Sequence, residues 1–360
     1  MPNSYSEKSV FEESLDRIRW LFDEFPDVIV AMSGGKDSTV CFELSMMVAK
    51  EKGRLPLKVY WLDQEAEWQH TVDYMSRIMN RDDVEPYWFQ IPFDFTNSLS
   101  NENNYLRVWD EAKKDLWIHP KSEIAIHDNP TKYNRFHDII VDLPNHCTDA
   151  DSIAVIVGMR ADESTRRRMA VSAQKAKYKG ENWCSARSGK SQKFWPIWDW
   201  SFSDVWVAIA KNHWEYNELY DLMYRYGQAT NRMRVSALIH ETATHHIGEL
   251  QQFEPKTYNK FCRRVAGTNA MNHALETSLI PKKLPFAFRD WEEYRDYLLE
   301  HIVKEEYREH FRKEWQGQDD EDWYRVHVRE CIIQDIDGTL NANHLDARRL
   351  KAKKKELYGA

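Results

Sequence analysis

The residues best suited to chemistry lie near the start of the chain, between an apolar run over residues 28–32 and a segment of helical character. Two consecutive glycines, Gly34 and Gly35, predict a turn whose backbone N–H groups can approach an anion closely. The helix that follows adds positive potential at its N-terminus. The side chains available to a phosphate or its Mg²⁺ ion flank this turn: Ser33, Lys36, Asp37 and Ser38. The stretch therefore predicts a phosphate-binding loop between a buried strand and a helix.

A second group of candidates follows the next apolar run, residues 57–62. A helical segment separates the two runs, so a parallel β-α-β unit is the economical interpretation. Ligands of open α/β sheets gather at the carboxyl ends of strands. This rule places Asp63 and Glu65 where a Mg²⁺ ion or a ribose would lie. As an alternative, the two acids are solvated and cap a helix over residues 67–80.

A third group follows a further apolar run, residues 152–157. Gly158 permits close approach at the end of the predicted strand, and Arg160 can form paired hydrogen bonds with a phosphate. Glu163 can orient an arginine, and Arg166 is one of three arginines that follow it. The alternative is a helix start with solvated arginines. The position after a second core strand favours a functional role.

Three stretches together resemble a known family. Residues 33–38 read Ser-Gly-Gly-Lys-Asp-Ser, which resembles the PP-loop of ATP pyrophosphatases of the adenine nucleotide α-hydrolase type. Residues 158–168 resemble the second signature of the branch that contains phosphoadenosine phosphosulfate (PAPS) reductases. Residues 196–206 resemble the P-I-x-D-W-x-x-x-D-V-W stretch of the same branch. The resemblance extends over roughly residues 25–245.

This resemblance implies an enzyme that binds ATP and Mg²⁺ and cleaves ATP between its α and β phosphates. An acceptor would be adenylated, in sulfur transfer or in nucleic-acid modification. Lys36 and Arg160 would neutralise charge on the phosphates, and Asp37 and Asp63 would bind the metal. The nucleotide contacts implied for the remaining candidates are those of Ser33, Gly34, Gly35, Ser38, Leu62, Gly158, Glu163 and Arg166.

The chain departs from the reductases in its cysteines. Reduction of a sulfonucleotide needs an attacking thiolate, yet residues 231–240 and 350–360, where those enzymes carry cysteines, contain none. The replacement Arg232-Met233-Arg234 resembles a cysteine-free subgroup of phages and bacterial mobile elements that occurs beside ParB-like proteins. A nucleotide-dependent regulatory protein with a ParB-like partner is therefore the main alternative, and nucleic acid is a further candidate partner. A PAPS reductase is the weakest of the three hypotheses.

Composition limits the partners, metal sites and cellular location that can be expected. The 360 residues carry a net charge of −8, so contact with nucleic acid would require a local basic patch. The five cysteines are scattered without a C-x-x-C pair, which predicts reduced thiols, no zinc site and no iron–sulfur cluster. No signal peptide or membrane-length apolar run is present, so a cytoplasmic protein is expected. The oligomeric state is left open, with a homo-oligomer among the alternatives.

The elements that must position these residues predict an α/β fold. We expect an open parallel sheet with helices on both faces, of the adenine nucleotide α-hydrolase type, over residues 1–200. Residues 94–146 interrupt the α/β repeat as an aromatic and polar insertion. Residues 172–193 are predicted to be a flexible basic loop that covers the triphosphate or an acidic partner, with plain disorder as the alternative. Residues 201–360 predict a mainly helical C-terminal region, and Ser203 is predicted to cap its first helix.

Overall fold

The computed structural model describes residues 7–100, 104–172, 178–228, 230, 233–235, 237–239, 246–268, 284–285 and 287–333. The strands, in chain order, are β1 (Asp27–Ala31), β2 (Leu57–Leu62), β3 (Val84–Phe89), β4 (Phe93–Thr96), β5 (Tyr105–Val108), β6 (Ile153–Val157) and β7 (Ser191–Phe194). The helices of the first 265 residues are α1 (Val10–Glu24), α2 (Lys36–Glu51), α3 (Gln69–Met79), α4 (Phe136–Asp142), α5 (Thr165–Ser172), α6 (Phe202–Asn212), α7 (Leu219–Arg225), α8 (Ile247–Phe253) and α9 (Pro255–Arg264).

Five of these strands form one parallel sheet in the order β3-β2-β1-β6-β7. Strand β1 lies in the middle, and its Val30 is opposite Val59 on one side and Ile156 on the other. The chain moves outward from β1 to β3 and then returns to place β6 on the other side. In a parallel sheet such a reversal opens a crevice at the carboxyl ends of the two strands, here β1 and β6.

The apolar residues of the predicted strands and helices form the buried core around this sheet. Strand β1 buries its three central residues, and helix α2 is buried along most of its length. Helix α1 begins at a capping box formed by Ser9 and Glu12, and its apolar face joins the same core. The predicted fold class, an open parallel α/β sheet followed by a mainly helical C-terminal region, is confirmed.

Two local predictions are wrong. Helix α6 is capped by Ser201, which forms a capping box with Asp204, and the predicted cap Ser203 lies inside the first turn. The end of the predicted loop 172–193 forms the edge strand β7, which pairs in parallel with β6. This strand is short and three of its four residues are polar, so its sequence lacks the apolar run that revealed the others.

The insertion over residues 94–146 does depart from the α/β repeat. It contributes an antiparallel pair, β4 and β5, two 3₁₀ helices at Glu111–Leu116 and Leu143–His146, and the short helix α4.

The chain divides into two compact units, one of Met1–Asn97 and Tyr105–Val265, the other of Ser98–Asn104 and Ala266–Ala360. The predicted division at residue 200 lies within the first unit, and as a statement about domains it stays a prediction.

The second unit contains α10 (Trp291–His301), α11 (Glu305–Glu314) and α12 (Glu321–Ile333). Its core combines aromatic and aliphatic side chains, and His327 stacks on Trp315 with ring centroids 4.3 Å apart. Burial lowers the pKa of His327 to about 3, so this imidazole is a neutral core residue at physiological pH. No helix among the described residues combines the length and apolar character needed to span a membrane.

Candidate functional site

The glycine turn lies at the carboxyl end of β1, as predicted. Gly34 has φ of 70°, and a Cβ atom there would lie 2.7 Å from Thr71 Cγ2, so both backbone conformation and space require glycine. Gly35 is the N-cap of α2 and has no side chain to cover the helix start. Within the described part of the chain, the amides of Gly34 and Gly35 donate to no protein acceptor. They are therefore available to an anion.

The two loop serines hold the turn in shape. The Ser38 hydroxyl donates to the Gly35 carbonyl oxygen at 2.8 Å. Its oxygen accepts from the Ser33 amide at 3.3 Å and lies 3.2 Å from the Ser33 hydroxyl. Because Ser38 uses its one hydrogen on Gly35, Ser33 is the donor between the two hydroxyls. Ser38 therefore closes the loop internally, and Ser33 lies beside it.

Lys36, Asp37 and Arg160 come together in a buried ion cluster. Lys36 Nζ lies 3.0 Å from Asp37 Oδ2, and Arg160 Nε donates to Asp37 Oδ1. All three residues are at most 8% exposed. Arg160 follows β6, and the reversal of strand order between β1 and β6 brings it to the glycine turn. The predicted catalytic residues are thus neighbours, two cations around one carboxylate.

Gly158 makes this meeting possible through packing. A Cβ atom on Gly158 would lie 2.6 Å from both the Asp37 carbonyl carbon and the Ser38 amide nitrogen. Because these are backbone atoms, they cannot move aside as a side chain would. The end of β6 therefore touches the first turn of α2 directly.

Glu163 lies next to this cluster and contacts two arginines. Its carboxylate is 3.7 Å from Arg160 Nη2 and also pairs with Arg167 of α5. Burial lowers the pKa of Arg167, and the nearby positive charge of Arg234 acts in the same direction. The predicted contact residue Arg166 belongs to α5, but its side chain lies outside the described part. Arg167 of α5 contacts Glu163, and sequence analysis did not single it out.

A short segment before and within α7 also reaches the glycine turn, and sequence analysis missed it. Asn217 is fully buried and donates to the Gly34 carbonyl oxygen at 3.2 Å and to Thr71 Oγ1 at 2.9 Å. The hydroxyl of Tyr220 accepts from the Lys36 amide at 3.2 Å. The sequence signal is weak, because an Asn two residues before a helix usually indicates no more than a cap.

Asp63 lies at the carboxyl end of β2 but is fully buried, and its oxygens are engaged. Oδ2 accepts from Trp88 Nε1 at 3.1 Å and from Gln90 Nε2 at 2.8 Å, and Oδ1 accepts from the Glu65 amide at 3.0 Å. His119 Nε2 lies 3.3 Å from the same Oδ1. A metal ion would have to displace these donors. The preceding Leu62 is a buried member of β2.

The solvated-cap alternative for Asp63 and Glu65 is wrong, because both are 0% exposed. Glu65 has φ of 62° and accepts from the Trp109 amide at 2.6 Å. It also forms two hydrogen bonds with Arg264 of α9. The loop after β2 is therefore the place where the insertion and α9 attach to the sheet.

A cavity of about 720 Å³ lies on the insertion side of this network. Its walls carry aromatic and charged side chains, among them Trp117, His119, Lys121, His127 and Lys260. His119, which lines the cavity, lies 3.3 Å from Asp63. Ser122, which also lines it, donates its amide hydrogen to the side-chain oxygen of Gln90, directly after β3. The cavity therefore lies near the carboxyl ends of β2 and β3, on the same edge of the sheet as the glycine turn.

Burial disfavours the thiolate form of three of the five cysteines. Cys41, Cys147, Cys184 and Cys331 are buried, and Cys262 is half-buried. Burial raises the pKa of the Cys41 and Cys147 thiols and raises that of Cys331 to about 12. No group of three His, Cys, Asp or Glu side chains in this part of the chain is arranged to hold a metal ion. Arg232 lies outside the described residues.

Several solved structures share limited similarity with the chain. The PAPS reductase of Candida auris, in a phosphate complex, is 16% identical with a TM-score of 0.36, over 62% of this chain and 94% of that one. The FMN adenylyltransferase of Candida glabrata, with FMN and an ATP analogue, is 14% identical with a TM-score of 0.35, over 61% and 64%. The U34-tRNA thiolase NcsA of Methanococcus maripaludis, with its [4Fe-4S] cluster, is 13% identical with a TM-score of 0.33, over 80% and 85%.

Sequence comparison is more decisive. The Escherichia coli K12 protein YbdN, described as uncharacterized, is 28% identical over 317 residues, which cover 84% of this chain and 78% of YbdN. The family model described as the phosphoadenosine phosphosulfate reductase domain matches residues 27–227, more than half of the chain. This span contains the glycine turn, Arg160 and Tyr220. The chain is therefore a member of the phosphoadenosine phosphosulfate reductase domain family.

Proposed function

We propose that the chain binds ATP with Mg²⁺ at the PP-loop, residues 33–38, cleaves it between the α and β phosphates and adenylates an acceptor. One observation carries this proposal. The amides of Gly34 and Gly35 have no protein acceptor in the described structure, and they lie beside Lys36 and Arg160. Backbone donors at a helix start together with two buried cations suit a polyphosphate.

The residues also fit the implied metal. Mg²⁺ in nucleotide sites is held by one or two carboxylates together with phosphate oxygens. Asp37 is the buried carboxylate of the loop and would be its protein ligand, and a bound Mg²⁺ would neutralise phosphate charge. A phosphate would compete with Asp37 for Lys36 and Arg160, which releases Asp37 oxygens. Asp63 stays a proposed second ligand, although its oxygens already accept three hydrogen bonds and lie near His119.

The proposed reaction depends more on the positioning of the reacting groups than on general acid–base catalysis. In-line attack on the α phosphate is accelerated when nucleophile and leaving group are held in line and the developing charge is neutralised. Lys36 and Arg160 supply the charge, and the loop amides hold the leaving pyrophosphate. The acceptor would approach from the cavity beside His119, whose volume of about 720 Å³ suits a small molecule or a single nucleotide.

A regulatory protein that binds nucleotide with little turnover is the second candidate. It is favoured by the engagement of both predicted metal ligands, Asp37 by two cations and Asp63 by three hydrogen-bond donors with His119 beside them. Under this hypothesis the chain belongs to the cysteine-free subgroup of phages and mobile elements and works with a ParB-like partner. Reductase chemistry has less support, because burial raises the pKa of three of its thiols and disfavours the thiolate.

The test is the product released from ATP–Mg²⁺ by the full chain, alone and with added nucleic acid. Pyrophosphate is expected, and Lys36→Ala should lower its release about 100-fold or more, as loss of one charge-stabilising donor does. The matched control is Lys52→Ala, which removes an exposed ion pair with Asp23 at the other end of α2. Orthophosphate alone would contradict α–β cleavage. Tight ATP binding without either product would favour the regulatory candidate.

A further inference from the structure

Tyr220 has an unusual position for a buried tyrosine. It is 4% exposed, and its hydroxyl oxygen accepts the Lys36 amide at 3.2 Å, at the first turn of α2. The same oxygen lies 3.5 Å from the point where a Cβ atom of Gly35 would be. The hydroxyl is therefore placed against the two peptide groups that begin the helix.

The hydrogen of this hydroxyl has no protein acceptor among the described residues. A phenol carries one donor and can accept as well, and here only its accepting capacity is used. A buried donor without an acceptor is costly, and native structures rarely keep one without a reason. Burial also raises the pKa of Tyr220, so the hydroxyl keeps its hydrogen throughout the physiological range.

The surroundings of this hydroxyl favour an anion as the missing acceptor. Lys36 Nζ lies 5.5 Å from the centre of the Tyr220 ring, and the Gly34 and Gly35 amides are beside it without protein acceptors. A hydroxyl that accepts from an N–H group is polarised and becomes a stronger donor. Tyr220 can thus pass the positive potential of the Lys36 amide on to an oxygen bound at the loop.

We propose that Tyr220 is a third component of the anion site, whose hydroxyl donates a hydrogen bond to a phosphate oxygen held on the Gly34 and Gly35 amides. The ligand class is a pyrophosphate group, free or as part of a nucleotide. This inference rests on the proposed nucleotide-binding function and adds a contact that comes from α7, outside the three sequence motifs.

The experiment measures binding of inorganic pyrophosphate and of ATP–Mg²⁺ to the full chain by calorimetry. Tyr220→Phe removes only the hydroxyl and should weaken both affinities about tenfold, which corresponds to about 1.4 kcal/mol. Tyr74→Phe is the matched control, because Tyr74 is also buried and also contacts α2. Its hydroxyl forms a hydrogen bond with Thr39 of α2 at 2.8 Å. This control should bind pyrophosphate as the wild type does.

Melting temperatures without ligand separate contact from folding. A contact role predicts that Tyr220→Phe melts near the wild type and loses most of the pyrophosphate-induced rise. As a second variant, 3-fluorotyrosine at position 220 keeps the shape and makes the hydroxyl a stronger donor, so it should tighten pyrophosphate binding at mildly acidic pH.

Equal pyrophosphate affinity of Tyr220→Phe and Tyr74→Phe, with binding by the wild type, would overturn the role of Tyr220 and leave the proposed function standing. Failure of the wild type to bind either pyrophosphate or ATP–Mg²⁺ would overturn both.

Discussion

Arg264 and Glu65 form a bidentate ion pair, although they are 199 residues apart in the sequence. Arg264 Nε lies 2.6 Å from Oε1 and Nη2 lies 2.9 Å from Oε2, and the two side chains are 2% and 0% exposed. The same carboxylate accepts from the Trp109 amide. One buried pair thus joins the loop after β2 to the insertion and to α9.

We expect Glu65→Gln to lower the free energy of unfolding by about 3–5 kcal/mol, because it leaves Arg264 buried without its counter-charge. Denaturant unfolding of the full chain measures this change. The control is Glu215→Gln, which removes the exposed pair with Arg77 and should cost about 1 kcal/mol or less. Equal effects of the two variants would contradict the importance of the buried pair.

Gly158→Ala should disrupt the meeting of β6 and α2. The added methyl group would lie 2.6 Å from backbone atoms of Asp37 and Ser38, so the strand end or the helix must shift. A loss of about 1–3 kcal/mol in unfolding free energy is expected from such overpacking, together with loss of ATP binding.

The matched substitution is Gly35→Ala, where φ is −88° and the nearest atom would be 3.4 Å away. It should cost about 1 kcal/mol or less, the difference between Gly and Ala at an N-cap. If Gly158→Ala unfolded no more easily than Gly35→Ala, the close approach would have no energetic weight.

The two proposed metal ligands should respond differently to amide substitution. Asp37→Asn removes the carboxylate of the loop, so added Mg²⁺ should no longer raise the affinity for ATP. Asp63→Asn places an amide N–H₂ group where a carboxylate oxygen now accepts buried hydrogen bonds, and it should instead lower the unfolding free energy. Calorimetric ATP titrations with Mg²⁺ and with EDTA, run on both variants, distinguish these outcomes. A Mg²⁺ effect lost only in Asp63→Asn would reverse the assignment.

His119 makes stability depend on pH. Its burial opposes the charged form, but the Asp63 carboxylate and the Pro120 carbonyl outweigh this and raise its pKa above 6.5. A raised pKa in the folded state means that the stabilisation is full below the unfolded value near 6.5 and is lost as pH rises through the folded value.

Unfolding free energies measured from pH 6 to 9 should therefore fall more steeply in the wild type than in His119→Asn. His70, whose pKa is also raised by its hydrogen bond to Glu254, adds a slope of the same sign in both proteins. The difference between the two curves isolates His119. Parallel curves would show that its protonation is not linked to folding.

The sheet and the loop were predictable because their signals are local. Apolar runs revealed β1, β2 and β6, and two glycines before a lysine revealed the turn. The meeting of Lys36 with Arg160 followed from the rule that ligands gather at strand ends. The cap of α6 and the strand β7 were mispredicted for local reasons too. Two serines, Ser201 and Ser203, are close enough in sequence to cap α6, and β7 has no apolar run.

The rest of the site depends on contacts that no local pattern contains. Asn217 and Tyr220 reach the loop from more than 180 residues away, and their segment reads as an ordinary helix start. Asp63 and Glu65 were expected either at the ligand or in solvent. Their partners His119, Trp109 and Arg264 are distant in sequence, so only the tertiary structure shows that both acids are buried and paired.

The contact between Asn217 and the Gly34 carbonyl has a consequence for synthesis of the chain. It spans 183 residues of sequence. At a translation rate of roughly 5–20 residues per second, about 10–40 s separate the synthesis of the loop from that of Asn217. During this interval the nascent chain carries the whole Ser-Gly-Gly-Lys-Asp-Ser motif, but no amide holds the Gly34 peptide in place. A ribosome that stops before residue 217 therefore leaves a product with the motif intact and the anion site unformed.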